Sequence, residues 1–187
     1  MKKIFLSLIF SVIGLCAFAQ GTIQLTVKWN ALASRYEVFA KPSFTQNNFN
    51  WGPSQISIVP PSSAPDASLS ITSIAAGAWS DNSKVYSPAI ASSNDFHGIE
   101  SNGAQINFTA NTESLIFAFT FPDGQCRDGV RLFINGSDPN SGANGMNGGD
   151  FRNSISNAVL QDVYLSNYNN TGTVCNPCNI VAPELIK

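Results

Sequence analysis

The chain has a single histidine, two methionines and few charges. Lys, Arg, Asp and Glu together make up only 12% of its 187 residues. One histidine, His97, excludes any zinc site built from several imidazoles, and a Ser-His-Asp triad would have to centre on it. Neither Ser92-Ser93 nor Asp95 lies in a nucleophile-elbow motif, so His97 is expected to be a loop or edge residue. Basic residues are scarce and unclustered, with ten Lys and Arg against twelve Asp and Glu. Nucleic acid and anionic membranes are therefore excluded as partners, because both need grouped Lys and Arg. No Gly-Lys-Ser/Thr follows the glycine-rich stretch, which rules out a phosphate loop.

Helical patterning is also missing beyond the first residues. No window of about twelve residues or more repeats with a 3.6 period. The exception is the start, which has the three parts of an export signal in order. Lys2 and Lys3 are the basic part, Ile4 to Leu15 is the apolar run, and Ala17-Phe18-Ala19 is a small-x-small cleavage box. Cleavage before Gln20 makes residues 1–19 a signal peptide and leaves 20–187 as one domain, with a tail from about 170. The run is too short for a membrane anchor, and the bulky Leu15 before Cys16 argues against a lipoprotein. No later stretch is long enough to span a bilayer; Leu115 to Phe119 is the longest late apolar run. The expected location is extracellular or at the cell surface, with the periplasm as an alternative.

Period two dominates the remainder. Thr22 to Trp29 alternates, with Ile23, Leu25, Val27 and Trp29 on one face. Arg35 to Lys41 follows, with Tyr36, Val38 and Ala40 expected inward. Pro42 to Phe49 reads as a loop. Gln55 to Val59, Leu69 to Ile74, Lys84 to Tyr86, Phe96 to Ile99, Ala104 to Thr109, Glu113 to Phe121, Val130 to Ile134 and Val163 to Leu165 read as strands. Glu113 to Phe121 is expected to be central and Phe96 to Ile99 an edge piece. Ser154 to Leu160 reads as one helical turn or irregular chain. The sum is about eight to ten short strands with punctuated connections, an all-β fold of the single β-sandwich or jelly-roll kind.

Three features invite chemistry. Trp51, in the loop Asn48 to Pro53, and Trp79 are candidates for stacking on sugar faces, against the alternative that both are core. The stretch Asp138 to Asp150 is rich in Gly and Asn. Asp138, Asn140, Asn144 and Asp150 make a candidate calcium set on a flexible oxygen-bearing loop, against the alternative of a long turn using positive φ. Glu37 and Glu113 are the carboxylates best placed to face a groove as a glycosidase pair would, but nothing singles them out. No cofactor other than calcium is expected.

Trp51-Gly52-Pro53-Ser54-Gln55-Ile56-Ser57-Ile58-Val59 resembles a segment in secreted proteins of Bacteroidota. So does Val130 to Pro139, with Gly148-Gly149-Asp150-Phe151 after it. In those proteins the segments belong to an extracellular β-sandwich module, broadly similar to cohesin-like domains. The resemblance covers most of residues 21–175 and carries no catalytic residues with it. With the sandwich pattern and no catalytic constellation, the expectation is a non-enzymatic structural or adhesion module whose partner is an extracellular protein or polysaccharide, or a second copy meeting it at strand edges. The alternative is a carbohydrate-binding domain using exposed Trp side chains.

After cleavage three cysteines remain, Cys126, Cys175 and Cys178, an odd number for an oxidising compartment. Chain entropy favours the long closure. A Cys126–Cys175 bridge is worth roughly 4 kcal/mol, against roughly 2 kcal/mol for a Cys175–Cys178 ring. Cys126–Cys178 stays open as an alternative. With Cys126–Cys175 formed, Cys178 is left free or intermolecular.

Overall fold

A computed structural model describes residues 21–175. Residues 1–19, expected to be a signal peptide, and Cys178 lie outside the described residues. The fold is all-β, with short strands in several sheets. In chain order the strands are β1 (Ile23–Asn30), β2 (Arg35–Pro42), β3 (Gln46–Asn50), β4 (Ser54–Val59), β5 (Ser70–Ser73) and β6 (Trp79–Val85). They continue with β7 (Phe96–Ser101), β8 (Gln105–Phe108), β9 (Ser114–Thr120), β10 (Arg131–Leu132), β11 (Ser154–Ile155) and β12 (Tyr164–Asn167). A 3-10 turn, Ala89–Ala91, precedes β7.

The first sheet runs β12-β1-β2-β9-β5 and the second β10-β4-β7-β6, with β11 also on β4. β3 and β8 form a separate pair. The two larger sheets share one core in a sandwich-like arrangement. Ile23, Leu25, Val27, Tyr36, Val38 and Phe117 from the first meet Ile56, Ile58, Ile99 and Leu132 from the second. The alternation in β1 and β2 that points Tyr36, Val38 and Ala40 inward is realised, and all three are fully buried.

Three elements differ from the sequence expectation. β3 is a strand, not loop, because its pairing with β8 asks only for Phe49 inward and leaves Gln46, Asn47 and Asn48 to solvent. β7 is not an edge piece: it lies between β4 and β6. Ser154 to Leu160 is β11 followed by a turn in which Asn157 Oδ1 accepts from the Val159 and Gln161 amides.

β10 and β11 flank the same edge of β4, and the gap between them is bridged by one side chain. Asn153 is buried; its Oδ1 accepts from Ser57 N–H at 2.7 Å, and its Nδ2 donates to Phe133 O at 2.7 Å. Asn167, on β12, donates to the same Phe133 carbonyl at 2.9 Å, and the Tyr164 hydroxyl donates to Asn167 Oδ1. This buried amide network ties the edge of the first sheet to the edge of the second. Each amide replaces a ladder bond that the short strands cannot make.

The outer face of the second sheet carries a smaller apolar cluster of Val59, Val85, Phe96, Phe133, Met146 and Phe151. Its cover is the Gly/Asn loop, which folds back and drives Met146 to complete burial. The loop docks on the 3-10 turn, where Ile90 N–H donates to Asn144 O. Gly145 sits there at φ +89°, and a Cβ on it would lie 2.5 Å from the Ala89 nitrogen, so only glycine fits.

Candidate functional site

The residues singled out from the sequence are mostly engaged inside the fold. Trp51 and Trp79 are 2% and 5% exposed. They meet edge to face at 6.0 Å, and Trp79 Nε1 donates to Ala75 O. This corrects their reading as exposed sugar-stacking platforms: the indoles close the end of the core beside Phe117 and Phe108. Asp138 forks Arg131, with oxygens 2.6 and 2.7 Å from its guanidinium, and also accepts from Ile134 N–H. Asp150 forks Arg152, Asn140 Oδ1 accepts from Gly142 N–H, and the Asn144 carbonyl docks the loop. The carboxylates of the candidate calcium set are thus both neutralised by guanidinium groups. Among the described residues no group of three or more His, Cys, Asp or Glu side chains is placed to hold a metal ion.

His97 is not a loop or edge residue either. It is 1% exposed on β7, facing inward like Ile99, with Nδ1 2.9 Å from Asp81 Oδ2. That same oxygen accepts from Leu69 N–H, and the Tyr86 ring meets the imidazole edge to face. Among the described residues no serine hydroxyl bonds the ring. Glu37 is held by Arg35 and Asn30, and Glu113 by Lys28 and the Tyr168 hydroxyl. Those hydrogen bonds, Lys28 foremost, lower the Glu113 pKa. Lys28 also lies over Phe39 and Lys41 over Tyr168, so this part of the first sheet's outer face is covered by its own side chains.

The predicted disulfide is present. Cys126 and Cys175 are bonded, with Cα atoms 5.8 Å apart. The bridge is seated by the Tyr36 hydroxyl, which donates to Arg127 O at 2.8 Å. Gly129 N–H and Thr173 N–H then pair the two bridged segments through Thr173 O and Val130 O. Asp123 forks Arg127 at the same corner, and that hydrogen bonding lowers its pKa to about 2.

Sequence reasoning missed a polar concavity on the outer face of the second sheet. Ser154, Gln55, Glu100 and Ser80 are consecutive register partners on β11, β4, β7 and β6. They form a single cross-strand row on the outer face. With Pro53, Asn82 and Asn102 they line a cavity of about 340 Å³. A second cavity of about 340 Å³ shares Gln55 and Ser154 in its lining and adds Asn135, Asp150, Arg152 and Asp162.

Neighbours hold the row in place. Gln55 Nε2 donates to the carbonyls of Asp150 and Arg152 at 2.8 and 3.1 Å. Asn82, the extra residue in a bulge of β6, donates to Glu100 Oε2 at 3.1 Å. Gly98 marks the boundary of the depression: a Cβ there would lie 3.2 Å from Gln55 Oε1 and from Ser83 Cβ. The polar residues of β4 and β7 facing outward were a faint sequence signal, but only the register brings them into one line.

No protein family, curated protein or solved structure matches the chain. Among the described residues no helix is long and apolar enough to cross a membrane.

Proposed function

We propose that the chain is a non-enzymatic extracellular structural or adhesion module, folded as a single β-sandwich. The observation that carries this is the contrast between its buried and its open polar groups. The buried histidine and the carboxylates best placed for acid–base work are engaged in internal bonds. The open concavity offers amides, hydroxyls and carboxylates, which is recognition chemistry. The export signal and the segments that resemble secreted Bacteroidota modules support the same conclusion. Adhesion is favoured over assembly through strand edges. β5 and β12 have four residues each, β10 and β11 two each, and β6 is bulged. Short and bulged edges are poor templates for another strand.

The test is a binding assay on residues 20–187, labelled and offered to whole cells and to shed extracellular matrix, alongside size-exclusion with light scattering. Saturable retention supports the proposal. A protein that stays monomeric at high concentration and is inert toward both materials would overturn it.

A further inference from the structure

We infer that the row Ser154, Gln55, Glu100 and Ser80 is a binding groove for a neutral polysaccharide chain. The inference rests on the adhesion reading and names its ligand class and its site. Four adjacent strands place these groups about 4.8 Å apart, a line of roughly 15 Å. A regularly spaced line of polar groups suits a repeating ligand better than a compact one. The two neighbouring cavities, each about 340 Å³, lie at the small end of the 300–1,000 Å³ typical of ligand sites.

The available atoms suit hydroxyl groups. Asn82 holds one oxygen of Glu100, and among the described residues the other has no partner, which leaves it to accept from a hydroxyl. The Gln55 amide nitrogen is tied to two carbonyls, which fixes the plane of the amide and leaves Oε1 as an acceptor. Among the described residues, the Ser80 and Ser154 hydroxyls have no hydrogen-bond partner and can donate or accept. Held groups lose little freedom on binding.

Charge selects among polymers. The Arg152 cation is neutralised by Asp150, while Glu100 and Asp162 remain, so the groove is acidic on balance. A polyanion is repelled and a neutral hydroxylated chain is not. With no exposed aromatic ring in the row, each site binds weakly, and repeated attachment along a polymer supplies avidity.

The test uses residues 20–187 in affinity electrophoresis and calorimetry against cellulose oligosaccharides, chitin oligosaccharides, mannan and arabinoxylan. Heparin and polylysine serve as charged counter-probes. At least one neutral probe should bind with a Kd between about 10 μM and 1 mM. Glu100→Gln and Gln55→Ala should each weaken it tenfold or more, with unchanged melting temperature. Absence of binding to every neutral probe overturns the inference, as does binding that neither substitution alters. Retention by polylysine alone also overturns it and points to a basic protein partner. If the groove variants adhere to cells as well as the wild type does, the groove assignment fails while the adhesion reading stands.

Discussion

Two surfaces share one face of the second sheet and differ in what lies over them. At one end Val59, Val85 and Phe96 are roofed by Met146 and Phe151 into a second small core. At the other, Ser80, Glu100 and Gln55 of the same three strands stand uncovered. Gly98 lies between, in the row where β7 meets Ser57 and Ser83. The backbone ladder is continuous across this boundary, so secondary structure does not decide which half is buried. The decision lies in side-chain polarity and in a loop that reaches only so far. The covered half should contribute stability, and the open half should be nearly silent in folding.

Substitutions along the face should separate the halves. Phe151→Ala empties the roofed core and should cost about 3–5 kcal/mol in denaturant unfolding. A loss as small as that of a surface substitution would show that the loop is not a true cover. Gly145→Ala strains a positive-φ position against the backbone of the 3-10 turn. It should cost about 1–3 kcal/mol and raise amide exchange in residues 137–150.

Asp95 adjoins the covered end, fully buried, with Oδ1 accepting from Ser87 N–H. Burial raises its pKa above the unfolded value, despite the Ser87 bond. The ionised form is therefore disfavoured in the fold, and stability from this residue increases as pH falls through the folded pKa. Asp95→Asn should raise Tm at pH 7 by roughly 1–3 °C and bring no gain at pH 3. A gain at both values would remove the titration as its cause. Smallest of all, Glu100→Gln and Gln55→Ala in the open half should alter stability by no more than about 0.5 kcal/mol. A larger loss in either would make the row structural and dissolve the contrast.

The inward faces of β1 and β2 were legible because alternation on a half-buried sheet is a local property of the sequence. The disulfide was legible in part: loop length sets a long closure from Cys126 above a Cys175–Cys178 ring, and the structure closes it on Cys175. The second core was not, yet it left a trace: Ile58-Val59 and Leu132-Phe133 are adjacent apolar pairs. In a strand such pairs mean burial on both faces. The covering loop has one apolar residue of size, Met146, so its role does not show in its composition. His97 was misplaced, and Trp51 was left between loop and core, for a related reason. Their segments are polar and punctuated, but distant strands close over them. The groove was the least legible feature, because it depends on the register of four strands from separate parts of the chain.

The bridge from Cys126 to Cys175 also has a mechanical consequence. β10, the covering loop, β11 and β12 all lie between the two bonded cysteines. Tension entering from the residues beyond Cys175 passes through sulfur to Cys126, just after β9, an interior strand of the first sheet. It bypasses β12, which would otherwise be the first element peeled from its sheet. Pulled from that end, the domain would bear load on an interior strand of its sheet instead of on an edge.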